Sequence, residues 1–227
     1  MKHTILFITM VMVINQLYSQ EKDKLDDQYL DLTKINIEKN SDLFKIDTID
    51  NEQVLTLTEN TYNQDIDEFT GKKKDDTRGG KVVLFGDKLK DYSMIVDMKF
   101  LGFHMENFPS GGWFGFALRA QDLENYEIVW FMPGGGGESN TVAYVPVAHG
   151  VVPWWTEAYD KQEKGNVALP KNNWFTARVD VKKDEFSIYV DDQFVFKKKM
   201  TYYLTSGKPG LFVGTATDIA FRRIKID

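Results

Sequence analysis

From residue 174 onward, polar and apolar residues alternate one for one. Phe175, Ala177, Val179 and Val181 interleave with Trp174, Thr176, Arg178 and Asp180. A turn at Lys182-Lys183-Asp184 leads to Phe186, Ile188 and Val190, and a second turn at Asp191-Asp192 leads to Phe194 and Phe196. Period-two alternation broken by turn residues predicts half-buried β-strands. The same rhythm runs through Met94, Val96, Met98 and Phe100 against Ile95, Asp97 and Lys99, and through Phe114, Phe116 and Leu118 against Gly115, Ala117 and Arg119. Shorter apolar runs at 44–46, 54–57, 82–85, 126–132, 141–145, 211–214 and 219–226 read as further strands. Pro133 with Gly134–Gly137, and Pro209-Gly210, punctuate them. No helix longer than two turns is predicted. About a dozen strands with turn signals between them predict an all-β, two-sheet antiparallel sandwich.

Two stretches interrupt the rhythm. Residues 61–80 are polar and carry Gly71, Gly79 and Gly80, which predicts a surface loop. Residues 146–172 form a long excursion that carries His149, Trp154, Trp155 and Tyr159. The N-terminus stands apart. Lys2, the ten-residue apolar run Ile5–Ile14 and Ser19-Gln20 make the three-part pattern of a secretory leader, which expects residues 1–19 to be removed. That run is shorter than the roughly 20 residues a membrane span needs. The expected organisation is a leader at 1–19, a charged lead-in at 20–27 and one sandwich at 28–227. The destination is the periplasm or the exterior.

Composition narrows the chemistry. The 227 residues hold 28 Lys and Arg against 34 Asp and Glu, a net charge of −6, which gives no electrostatic footing for nucleic acid. Zero cysteines exclude disulfides, thiolate metal sites and a thiol nucleophile, and three histidines leave little for a metal centre. No cofactor or metal is expected. Gly134–Gly137 lacks the Lys-Ser/Thr and the helix that a phosphate cradle needs.

The C-terminal order, "NNWFTARVDVKKDEFSIYVDDQFVF" followed by "GKPGLFVGTATDIAFRRIKI", resembles the closing strands of concanavalin A-like (laminin G-like) jelly rolls. The segment "GFALRAQDLENYEIVWFMP" is similar to the Arg-Ala-x-Asp…Asn-Tyr-Glu pattern of bacterial exported domains described as family-16-like or 3-keto-disaccharide hydrolase-like. The opening "LDLTKINIEKNSDLFKIDTIDNEQVLTL" resembles their first strands, so the likeness covers nearly all of residues 28–227. Two departures stand out: Asp191-Asp192 replaces an Asp-Gly turn, and Met132 replaces an arginine before Pro133. The resemblance implies a jelly-roll fold and a glycan partner. Calcium is common in this superfamily, but no acidic loop specific enough to place it occurs.

Candidate site residues follow from a hairpin centred near Leu123. That centre sets Arg119 opposite Glu127 on one open face, with Gly115 and Ala117 beside them. Extending the meander one strand back brings Asp97 near Ala117. The expected ligand face is then Arg119, Glu127, Tyr144, His149, Trp154 and Trp155, with the aromatics stacking on sugar C–H faces. The first functional expectation is a carbohydrate-binding domain that recognises an oligo- or polysaccharide on its concave sheet. The alternative is a glycan-cleaving hydrolase using Glu127 with Asp97 or His149, since glycoside hydrolysis usually takes two carboxyl groups and a histidine titrates near neutrality. The signature Glu-x-Asp-x-x-Glu is absent from any β run; Asp65-Ile66-Asp67-Glu68 only imitates it in a polar loop. A laminin G-like protein-interaction domain is the third expectation.

Overall fold

The computed structural model describes residues 29–35, 44–57, 81–103, 113–133, 141–150, 165–170, 172–201, 204–214 and 217–227. The expected leader and the aromatic residues Trp154, Trp155 and Tyr159 lie outside the described residues. Within them the chain is antiparallel β throughout, apart from one 3₁₀ turn at Leu32–Lys34. The strands are β1 (Phe44–Ile49), β2 (Glu52–Leu57), β3 (Lys81–Leu84), β4 (Tyr92–Phe103), β5 (Phe114–Ala120), β6 (Tyr126–Met132), β7 (Thr141–Val147), β8 (Gly165–Asn166), β9 (Phe175–Lys182), β10 (Glu185–Val190), β11 (Gln193–Lys199), β12 (Lys208–Val213) and β13 (Thr217–Ile226). No described helix is long and apolar enough to cross a membrane.

Two sheets form. One has seven strands in the order β1-β2-β13-β4-β9-β10-β11, the other six in the order β3-β12-β5-β6-β7-β8. The fold is the expected all-β, two-sheet antiparallel jelly-roll sandwich. The closing strand β13 sits between β2 and β4, so the first and last strands of the seven-stranded sheet are stitched together.

The alternation read from the sequence sorts the faces. On β9, Phe175, Ala177, Val179 and Val181 are buried, while Thr176, Arg178 and Asp180 are half-buried. The inward residues join Met94, Val96 and Met98 of β4, Phe116 and Leu118 of β5, and Val129 and Phe131 of β6 in one inter-sheet core. Phe114 organises its middle, with ring centroids 5.9 Å from Phe100, 6.1 Å from Phe131 and 6.3 Å from Phe175.

The six-stranded sheet is different. Every residue of β5 and β6 is buried, and β7 is buried except at Pro146. A second apolar cluster, including Val82, Ala117, Ile128, Trp130, Ala143 and Phe212, occupies its other face. A strand buried on both faces reads as an unbroken apolar run, as Tyr126–Met132 does outside Glu127. Among the described residues, only the seven-stranded sheet therefore turns a polar face outward.

Two expectations about placement are corrected here. The meander does not continue from β4 to β5: the chain crosses between sheets, so Asp97 does not lie beside Ala117. The hairpin register also slips by one. The turn is centred where expected, with Gln121 N–H donating to the Asn125 carbonyl at 2.8 Å. Within the paired strands, however, Leu118 rather than Arg119 faces Glu127. The cause is a bulge at Arg119, which sits at a φ of 46° where β5 also shifts register against β12. One extra residue moves every side chain beyond it to the other face. Glu127 consequently points into the sandwich.

The β5–β6 pairing leaves no room at Gly115, where a Cβ would stand 2.1 Å from the Val129 carbonyl oxygen. Gly115→Ala is expected to cost about 1–3 kcal/mol of stability, the usual penalty of overpacking. In urea titration this would appear as a lower midpoint at unchanged m-value.

Candidate functional site

Three of the expected ligand residues form an interior polar cluster. Glu127 is fully buried and Arg119 is 1% exposed. Arg119 donates from Nη2 to the Lys90 carbonyl at 2.6 Å and from Nη1 to the Leu204 carbonyl, and it lies 3.8 Å from Asp91. Its backbone N–H donates to the Tyr92 hydroxyl at 3.3 Å. Tyr144 packs on Phe186 at 5.0 Å and hydrogen-bonds Glu127, while its oxygen accepts from Thr201 N–H. Burial, and then the Glu127 charge, push the Tyr144 hydroxyl far above the usual phenol range, so it stays neutral and donates. The bulge explains all of this: Leu118 and Arg119 both turn inward, and the guanidinium ties the segments around Lys90 and Leu204 to β5. The cluster is a clamp between the sheets.

The other expected residues scatter. Asp97 belongs to the seven-stranded sheet and Glu127 to the six-stranded one, so the carboxyl pair of the hydrolase reading does not assemble. His149 is exposed in the turn after β7, at a φ of 52°, and its backbone N–H donates to Asn125 Oδ1 at 3.1 Å. Trp154 and Trp155 lie outside the described residues. Among the described residues, no three His, Asp or Glu side chains converge as a metal site would require.

The outward face of the seven-stranded sheet carries the accessible chemistry, and Asp97 is at its centre. Asp97 pairs in register with Thr176 on one side and Arg222 on the other. Its Oδ1 accepts from Thr176 Oγ1 at 2.7 Å, and its Oδ2 accepts from Arg222 Nε at 3.2 Å. Arg223, at a φ of 49° in a second bulge, turns to the same side and reaches Asp97 at 3.6 Å and Glu52 at 2.7 Å. Arg222 also contacts Glu52 at 3.3 Å.

Trp174 is half-buried on this network. The Arg222 guanidinium lies 4.1 Å from the indole centroid and Lys99 Nζ lies 5.6 Å from it. Trp174 Nε1 donates to Asp50 Oδ2 at 3.0 Å, and Lys99 reaches the same oxygen at 3.1 Å. Asp50 and Asn51 have φ values of 54° and 63°, the two left-handed residues of a tight hairpin turn joining β1 to β2. The indole N–H, and next Lys99, hold the Asp50 carboxyl below its usual range. A second two-residue turn braces the same region: Asp191 Oδ1 accepts from Thr176 N–H at 2.8 Å. Asp192 completes that turn, and both residues take positive φ.

Sequence reasoning singled out Asp97 but missed Trp174, Asp50, Arg222 and Arg223. The signal for Trp174 was present in the alternation of β9, which sets it on the outward face with Thr176 and Arg178. The partnership with Asp50 joins residues 124 positions apart and had no local signal.

No family model matches the chain, and no curated protein matches it. Among solved structures it is similar to a carbohydrate-binding module from Bacillus subtilis, at 14% identity and a TM-score of 0.49 over 66% of this chain and 82% of that one. It is similar to a homodimeric agglutinin from chicken liver, at 15% identity and a TM-score of 0.46 over 65% and 99%. It is also similar to a functionally unknown protein from Saccharomyces cerevisiae, at 13% identity and a TM-score of 0.47 over 88% and 96%. The jelly-roll assignment rests on this chain's own sheet order.

Two outcomes test the site geometry. Tyr144→Phe removes a donor from buried Glu127 and an acceptor from Thr201 N–H, so it is expected to cost about 1–3 kcal/mol in chemical denaturation. For Asp50 the lowered carboxyl pKa fixes the sign. The brace on Trp174 is intact above the ordinary aspartate value of about 3.9, and it is lost only as pH falls through the lower, folded value. The Trp174 indole N–H resonance should therefore move with a midpoint below that of a free aspartate, and Asp50→Asn should abolish the transition.

Proposed function

We propose that this chain is an exported carbohydrate-binding domain, and that the glycan lies against the outward face of the seven-stranded sheet with Trp174 as its platform. The observation that carries this reading is the immobilised indole. Trp174 is held at its edge by Asp50 and backed by Arg222, on the one sheet face that the described residues leave polar. A sugar ring presents C–H bonds on one face and hydroxyls at its rim. An aromatic ring buries the former at low entropy cost because it has only two side-chain torsions. Around Trp174, Asp50, Glu52 and Arg223 are partly exposed and offer acceptors and donors for the hydroxyls. Arg222 and Asp97 are nearly buried and serve to fix that rim.

The surface differs from the one expected on β5 and β6, because Glu127 and Arg119 are sealed inside the sandwich. Export is supported by the leader-like pattern of Lys2, Ile5–Ile14 and Ser19-Gln20, and sequencing the N-terminus of the exported protein tests it. Hydrolysis has no paired carboxyl groups to work with among the described residues that were expected to supply them.

The test is a glycan array followed by calorimetric titration of the glycan retained. Trp174→Ala is expected to weaken binding by about 1.5–3 kcal/mol, the burial value of a large apolar side chain, which is about ten- to a hundredfold in Kd. Wild-type affinity in a folded Trp174→Ala protein would remove the platform from this role.

A further inference from the structure

The same sheet face carries a second aromatic group. Tyr189 of β10 stands opposite Arg178 of β9, whose guanidinium lies 3.9 Å from the Tyr189 centroid. Phe194 of β11, in register with Tyr189, meets it edge-on at 5.7 Å and is 59% exposed. This is the largest apolar exposure on the described surface, and it sits beside a braced ring. The group repeats the construction at Trp174, an aromatic ring backed by an arginine on a polar sheet. Trp174 precedes Arg178 by four residues, so the two groups are separated by roughly 13 Å along the strand direction at the usual rise. Between them lies the Thr176–Asp97–Arg222 row.

We infer that the face is built for an extended oligosaccharide of at least three units, running along the strands from Trp174 to Tyr189 and Phe194, with its middle unit over Thr176 and Asp97. This rests on the proposed glycan-binding function and adds the ligand's length and shape. One ring suffices for a monosaccharide; a second, on the same face with polar groups between, matches a chain. Both groups stand on one sheet, so the chain that touches both must be ribbon-like, which favours equatorially linked pyranoses over the kinked course of α-linked ones. Two subsites on one ligand multiply affinity, because binding the second is intramolecular.

The experiment is calorimetric titration of the purified protein with cello-oligosaccharides and chito-oligosaccharides of one to six units, with maltohexaose as the kinked chain. The expected result is a hexasaccharide in at least one β-linked series that binds about tenfold or more tightly than its disaccharide, and more tightly than maltohexaose. Tyr189→Ala should reduce that gain to under about twofold, and Phe194→Ser, at an exposed position that leaves the core intact, should reduce it in part. Equal affinity for two and six units, equal affinity for maltohexaose, or a full gain retained in a folded Tyr189→Ala or in Phe194→Ser would overturn the inference. If neither β-linked series binds while some other glycan binds through Trp174, the extended-chain inference fails and the glycan-binding function stands. If no glycan binds at all, both fail.

Discussion

A sheet with apolar side chains on both faces has no accessible surface to offer, and in this protein that constraint allots the work of each layer. The strands β5, β6 and β7 are buried almost without interruption: their inward residues meet the other sheet and their outward residues form a second cluster around Ile128 and Trp130. The seven-stranded sheet is less fully covered: Val54, Thr56, Asp97 and Ala220 are buried on its outward side, but the other outward residues are half-buried or exposed. Its outward residues are free to be charged, and they are: Asp97, Lys99, Arg178, Asp180 and Arg222 all stand there. In a two-layer protein, the half-buried layer is where polar side chains can hold one another in place while remaining near water.

The two layers handle charge in opposite ways. Inside, Arg119 and Glu127 are out of contact with solvent and are held largely by neutral dipoles, with Asp91 at 3.8 Å from the guanidinium. The guanidinium takes the carbonyls of Lys90 and Leu204, and Glu127 takes the Tyr144 hydroxyl. Charges so placed cost much desolvation, and removing one partner leaves the other uncompensated. Their service is positional: two connecting segments are tied to β5 at the bulge. Outside, Asp97, Glu52, Arg222 and Arg223 form a network at the edge of solvent. Single exposed pairs of this kind contribute little to stability, but a network that fixes the ring above it limits the ordering that a ligand must otherwise impose.

Much of the architecture was legible because period-two alternation maps directly onto faces. The runs Phe175–Val181, Met94–Phe100 and Phe114–Leu118 name the inter-sheet core almost residue by residue. What was not legible turned on two local events. The positive φ at Arg119 adds one residue to β5, and no composition or spacing in "GFALRAQDLENYEIVWF" announces it; the single slip moves Glu127 from the outside to the inside. The crossing from β4 to β5 likewise looks, in sequence, like one more hairpin. Asp97 kept its outward orientation, since alternation within β4 is local, but its neighbours came from β9 and β13, which lie far away along the chain.

The two tight turns show why the outward face is rigid where it matters. Asp50-Asn51 and Asp191-Asp192 both use left-handed residues, a conformation for which glycine is the default and aspartate and asparagine the tolerated alternatives. Glycine would make the same turns at lower backbone cost, but it has no side chain to give. Here the carboxylates are spent on structure: Asp50 takes the Trp174 indole N–H, and Asp191 takes the Thr176 amide two residues further along. One turn lies between β1 and β2, the other between β10 and β11, so the start of β9 is gripped from both sides of the sheet. A platform gripped in this way keeps its orientation before any ligand arrives, and binding then costs less in lost side-chain freedom.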